Sequence, residues 1–121
     1  MTSKSHSPQD DLPLSPPVLH ILLAIGDQQL HGYAIMQQFE EKTGGREELL
    51  PGTLYSSIAR MLAQGLIEES SDPPEDGSRD GRRRYYRITE WGRLVVKAEL
   101  ARMQALIDFG RGQSLTPSSA S

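Results

Sequence analysis

The chain has no cysteine among its 121 residues, which removes disulfides, thiolate nucleophiles and cysteine-ligated zinc, and gives no sign of an oxidising compartment. Histidine is scarce too: His6, His20 and His31 stand far apart, and none belongs to an HExxH or another close metal-ligand spacing. Neither a Walker-type phosphate loop nor a GxSxG elbow is present. The pairs Glu40-Glu41, Glu47-Glu48 and Glu68-Glu69 are adjacent, so in a helix or strand their carboxylates diverge instead of converging on a substrate. No catalytic residue, metal ligand or cofactor is therefore expected. Long apolar runs are missing as well. The strongest, Val18 to Ile25, is interrupted by His20, is far too short to span a bilayer and lacks the flanks of a signal peptide. A cytoplasmic protein with no membrane partner is expected.

Excess positive charge is also absent: 13 Lys and Arg stand against 16 Asp and Glu, a net charge of −3. That at first argues against nucleic acid, since phosphate neutralisation is the sequence-independent source of its affinity. Distribution reverses the inference. Five of the 13 basic residues (Arg79, Arg82, Arg83, Arg84 and Arg87) fall within nine positions, whereas the acids are spread from Asp10 to Asp108, so one edge of an acidic protein is strongly basic.

The length suits one domain with a core of its own. Polar residues 1–12 and the Ser-, Thr-, Pro- and Gly-rich residues 111–121 read as disordered tails. Ser15-Pro16 matches a helix start, and the helix so begun carries Val18, Leu19, Ile21, Leu22, Leu23 and Ile25 around more than one face, which demands burial on two sides. A second helix is expected from His31 to Thr43, stopping at Gly44-Gly45. Glu47 to Leu50 reads as a brief strand. Pro51 opens a third helix that Gly65 closes. Strands at 66–71 and 84–89 flank a tip rich in proline and glycine, and a last helix runs from Thr89 or Glu90 to about Phe109. The fold class is mainly α with a small β-hairpin wing: a winged helix-turn-helix over 13–89, followed by a C-terminal dimerisation helix over 90–110.

On the third helix, Leu54, Ile58, Met61 and Leu62 share the inner face, Gly52, Ser56, Ala59 and Arg60 lie opposite, Thr53 lies to one side and Tyr55 at the edge. Small outward side chains let a helix approach base edges, hydroxyls bond a base or a phosphate, and Arg60 suits guanine or phosphate. In the second wing strand, Ile88 inward takes Tyr86 and Arg84 to the core side and leaves Arg83, Tyr85 and Arg87 outward as a phosphate grip. Arg82 and Arg83 also suit a narrow minor groove. The last helix carries two apolar stripes, Trp91, Leu94, Val95, Ala98, Ala105 and Phe109 on one side, Val96, Leu100, Met103 and Ile107 on another. One is satisfied within the domain. The other, with Leu19, Leu22 and Leu23 of the first helix, is expected to meet a second copy in a two-fold dimer that reads an inverted repeat.

The strings LHGYAI (Leu30 to Ile35), PGTLYSSIARMLAQGLI (Pro51 to Ile67) and GRRRYYRITEWGR (Gly81 to Arg93), in this order and spacing, resemble the PadR family of bacterial transcriptional regulators. The resemblance implies a repressor of double-stranded DNA targets, acting as a homodimer and relieved by a small aromatic or hydrophobic effector. By position it implies DNA contacts from Gly32 and Tyr33, from Thr53 and Tyr55, and from Arg82, Arg83, Arg84 and Tyr85, to which the helix reading adds Ser56 and Arg60. Two positions depart from the family: Ser56 stands where proline is frequent, and Trp91 where a polar or small residue is. Trp91 reads as a core or interface anchor. The single short C-terminal helix matches the family's compact subgroup. The alternative is a winged-helix adaptor that binds protein, which has no need of a basic wing.

Overall fold

The structure, a computed structural model, describes residues 6–70 and 84–117. Among these the order is a 3-10 turn at Pro8–Asp11, α1 (Pro16–Ile25), β1 (Leu30–His31), α2 (Gly32–Lys42), α3 (Pro51–Gln64), β2 (Ile67–Glu69), β3 (Tyr85–Ile88) and α4 (Glu90–Gly112). The helix boundaries follow their local chemistry. Pro51 occupies the first turn of α3, where its missing N–H breaks no bond, and Gly65 ends that helix in the left-handed region at φ 76°. Thr89 caps α4 by accepting a hydrogen bond from the Gly92 N–H.

The sheet differs from expectation. Glu47–Leu50 forms no strand; Leu49 instead turns into the core. The extra strand is β1, which pairs antiparallel with β3 in the register Leu30↔Tyr86 and His31↔Tyr85, so that β3 is central in the order β1-β3-β2. Two residues have no alternation to read; β1 exists because β3 presents it with ladder partners. Residues 6–12 also depart from the expected tail. Their 3-10 turn lies against α4, and Leu12 and Leu14 pack on the core.

The core sits where α1 crosses α2, α3, β3 and the first half of α4. Ile21, Ile25, Ile35, Leu54, Met61 and Val95 retain no exposed surface. At ~25 cal/mol per Å², each such side chain contributes roughly 1.5–3 kcal/mol of burial before the entropy of ordering it. The broad apolar surface of α1 is consumed inside the protomer. Leu19 and Leu22, expected at a dimer face, are buried at 8% and 1% exposure, and Val96 of α4 likewise at 8%; only Leu23 of that α1 group stays exposed.

The two expected stripes of α4 are redistributed. Val95 and Val96 both face inward, while Leu94 and Phe109 are exposed. Along the inner row, Gly92, Val96 and Glu99 are buried, and the same three-and-four spacing continues through Met103, half-buried, to Leu106, exposed. Only the first half of α4 has domain above it. Leu100, Leu106 and Ile107 are left 42–55% exposed.

Candidate nucleic-acid interface

Helix α3 buries Leu54, Ser57, Ile58 and Met61 and leaves Thr53, Tyr55, Ser56, Ala59 and Arg60 exposed. The Ser56 hydroxyl donates to the Thr53 carbonyl at 3.2 Å, which leaves its lone pairs free to accept. The Tyr55 ring lies over the start of α2. A Cβ on Gly32 would stand 2.5 Å from Tyr55 Oη and 2.9 Å from two ring carbons, so the buried Gly32 is the bare backbone seat on which that ring rests. Next to it, Tyr33 is exposed. His31 Nδ1 accepts from the Ala34 N–H at 3.2 Å and caps α2. Tyr33 and Tyr55 thus project from adjoining helices whose contact is set by a glycine.

The described part of the wing is laced by charge pairs. Arg84 Nη1 lies 3.3 Å from Glu69 Oε2, and Arg87 Nε 2.8 Å from Glu68 Oε2. Arg84, expected on the core side, is exposed, because it precedes the paired part of β3. Tyr85, expected outward, is buried: β1 runs beside that strand and the His31 ring meets Tyr85 edge-on at 5.4 Å. Tyr86 faces the core as alternation requires, and burial, with the Glu69 charge adding, pushes its hydroxyl above the ordinary tyrosine value. Arg79, Arg82 and Arg83 lie outside the described residues.

Two further features escaped the sequence reading. Glu99 is fully buried within the apolar row of α4, where its carboxylate accepts from the Leu14 N–H at 3.0 Å and from Arg102 Nε at 2.6 Å. The Arg102 hydrogen bond holds the carboxyl below its usual range, with Leu14 adding to the effect and burial opposing it. A lone acid at an inner-row position was the available signal. The second is the α3–α4 junction, where the Thr89 hydroxyl donates to Gly65 O and Gly92 packs on Leu66.

The family match settles the class. The description "Transcriptional regulator PadR-like family" fits residues 19–98, from within α1 into the first half of α4. The chain belongs to the PadR-like family of transcriptional regulators. It is 35% identical over 89 residues to the transcriptional regulator Rv3488 of Mycobacterium tuberculosis, covering 73% of this chain and 76% of that one. It is also 37% identical over 86 residues to a 37.1 kDa protein of transposon TN4556 from Streptomyces fradiae; that match takes in 71% of this chain, which spans 22% of the relative's length. Among solved structures, a PadR family regulator of Clostridium difficile superposes with a TM-score of 0.66 at 25% identity, covering 84% of this chain and 100% of that one. Bacillus subtilis PadR, solved with operator DNA, has the same fold at a TM-score of 0.61 and 19% identity, over 73% of this chain and 48% of its own.

For this PadR-family chain, the functional class is regulation of transcription on a winged-helix fold and not catalysis, as expected from the sequence. Among the described residues no helix is long and apolar enough to cross a membrane, and no cluster of side chains could hold a metal. The motif residues Gly32, Tyr33 and Tyr55 come together at the α2–α3 contact, and Arg84 stands on the wing strand beside Glu69. Trp91 is half-buried against the core, its ring 5.7 Å from that of His6.

Proposed function

We propose that this protein binds double-stranded DNA sequence-specifically in the cytoplasm and represses transcription as a homodimer on an inverted-repeat operator. The carrying observation is the outward face of α3: every exposed residue from Thr53 to Arg60 is small, hydroxyl-bearing or cationic, and the helix contains none of the chain's 16 acids. A helix with that face enters the major groove, Thr53 and Ser56 bonding bases or phosphates and Arg60 taking guanine or phosphate. Tyr33, Tyr55 and Arg84 hold the flanking backbone, together with Arg82 and Arg83 of the wing tip. Gly32 contributes its backbone and the seat for Tyr55. Tyr85 acts from beneath, by supporting His31 and the start of α2, in place of a direct contact.

The dimer face in this proposal is Leu23, Leu100, Met103, Leu106 and Ile107, the apolar surface for which the protomer has incomplete cover. Relief of repression by a small aromatic or hydrophobic effector is the finest part of the proposal and rests on family membership; release of the bound duplex by such compounds tests it. For the whole reading, sites are selected from a random duplex library and the enriched duplex is titrated across salt. The expected result is an inverted repeat bound by two chains, with a log–log salt slope of about −0.9 per neutralised phosphate. Absence of enrichment together with a flat salt response would leave the adaptor.

A further inference from the structure

We infer that Thr89 and Gly92, which join α3 to α4, set the half-site separation that the dimer reads; the inference rests on the dimeric DNA-binding reading above. A helix end leaves carbonyls without partners, and those at the end of α3 are received by the first turn of α4. The Thr89 hydroxyl lies 2.5 Å from Gly65 O and 3.1 Å from Leu66 O. Its backbone N–H donates to Leu66 O at 3.1 Å, and its hydroxyl oxygen accepts from the Gly92 N–H at 2.9 Å. Gly92 closes the joint sterically, because a Cβ there would stand 2.0 Å from the Leu66 carbonyl oxygen. A backbone carbonyl cannot swing aside as a side chain does. The start of α4 thus meets the two residues that follow α3 backbone to backbone, and a contact of that kind resists a change of angle.

That joint is the fulcrum of a lever. Thr53 stands 12 positions before Gly65, the C-cap of α3, about 18 Å at the α-helical rise, so a turn of about 10° at the joint moves the reading face by about 3 Å, close to the ~3.4 Å step between base pairs. On the other side of the fulcrum, α4 carries Leu100 and Ile107 toward the proposed partner. An exposed ion pair of Arg93 with Asp27 at 2.8 Å also links α4 to the turn after α1, a minor contribution beside the backbone contacts. Thr89 and Gly92 touch no DNA in this arrangement; they are positioning residues for helices that do.

The test is a binding selection from duplexes holding two copies of the selected half-site, with their separation varied one base pair at a time. It is run on the full chain as wild type, Thr89→Asp, Thr89→Val and Thr89→Ser. Aspartate keeps an oxygen to cap Gly92 but has no proton for the two carbonyls; valine keeps the shape and loses the hydroxyl. Wild type retains one separation. Both Asp and Val variants are expected to lose at least about fivefold of the preference for it over its neighbours, the order set by one hydrogen bond, while holding a single half-site as wild type does. Thr89→Ser, which keeps the hydroxyl, restores the preference. Equal weakening at every separation and at the single half-site would mark a merely structural role and overturn the inference, as would an unchanged profile in Thr89→Asp. If wild type binds the half-site without preferring any separation, the dimeric reading itself falls, and the inference with it.

Discussion

Replacing Glu99 by glutamine keeps the side chain's shape and removes its charge, in a place where the charge has specific work. The native carboxylate is fully buried, accepts from the Leu14 N–H and is paired with Arg102. Glutamine can still accept from Leu14 through its carbonyl oxygen, but a neutral acceptor holds an N–H less strongly by about 1 kcal/mol, and its amide faces the Arg102 guanidinium donor to donor. Arg102, with a side chain 38% exposed, escapes that conflict by turning to water, which limits the loss. The expected cost is about 1–2 kcal/mol at neutral pH, or roughly 5–10 °C in melting temperature for a domain of this size. Because the folded-state pKa of Glu99 is lowered, its ionised form stabilises the fold above the unfolded value of 4.5, and that contribution is lost as pH falls through the lower folded value. The gap between wild type and Glu99→Gln should therefore be full near neutrality and close in acid. Thermal unfolding at several pH values, at one protein concentration since a dimer's melting depends on it, reads the gap. Melting curves that stay separated by the same amount from pH 7 down to about pH 3 would refute the argument, because the charge would then carry none of the stability.

Gly32→Ala should push the half-exposed Tyr55 ring off its seat with little effect on melting, yet weaken the selected duplex severalfold in fluorescence anisotropy. Leu100→Glu combined with Ile107→Glu should yield a folded monomer by light scattering and circular dichroism, whereas Leu22→Glu should unfold the chain, because that side chain is interior to one protomer. Glu69→Gln should release Arg84 and raise affinity for unrelated duplex about two- to threefold, the order of an exposed ion pair; unchanged affinity would mean that Arg84 stays away from phosphate. Arg60→Ala should alter which base is selected at one position, if that guanidinium reads guanine, while the salt slope stays close to wild type.

Where an element's cause was local, the sequence displayed it. Pro16, Pro51 and Gly65 marked the limits of α1 and α3, and the inward and outward sets on α3 stand as helical spacing placed them. What was hidden was created by tertiary contact. β1 is two residues long and owes its state to β3. Its arrival also explains Tyr85: β1 pairs along the edge of β3 and sets His31 directly opposite Tyr85, so that the His31 ring covers a side chain that alternation alone leaves outward. The surplus apolar residues of α1 suggested a second chain because sequence gives the width of an apolar surface without saying how many elements of the same chain will use it. Here α2, α3, β3 and α4 of the same chain all pack on α1, and Leu19 and Leu22 are buried within the protomer. Glu99 was legible as an anomaly, a charge in an inner row, although Leu14, the distant backbone group that it accepts from, was not.

The cross-strand pairs of the wing bear on how such a protein would search a chromosome. Over the described strands, Glu68 and Glu69 neutralise Arg87 and Arg84 charge for charge, so this part of the wing casts almost no field beyond the Debye length of about 8–10 Å. Its cations become available only when a phosphate comes close enough to take the place of a carboxylate, an exchange of one anion for another that frees fewer counterions than a bare arginine would. On the proposed reading, Arg84 and Arg87 add little to the drag of unrelated DNA and engage after the reading helix has found its register. The chain's net negative charge then favours quick release from the wrong sequence over long-range attraction to any sequence.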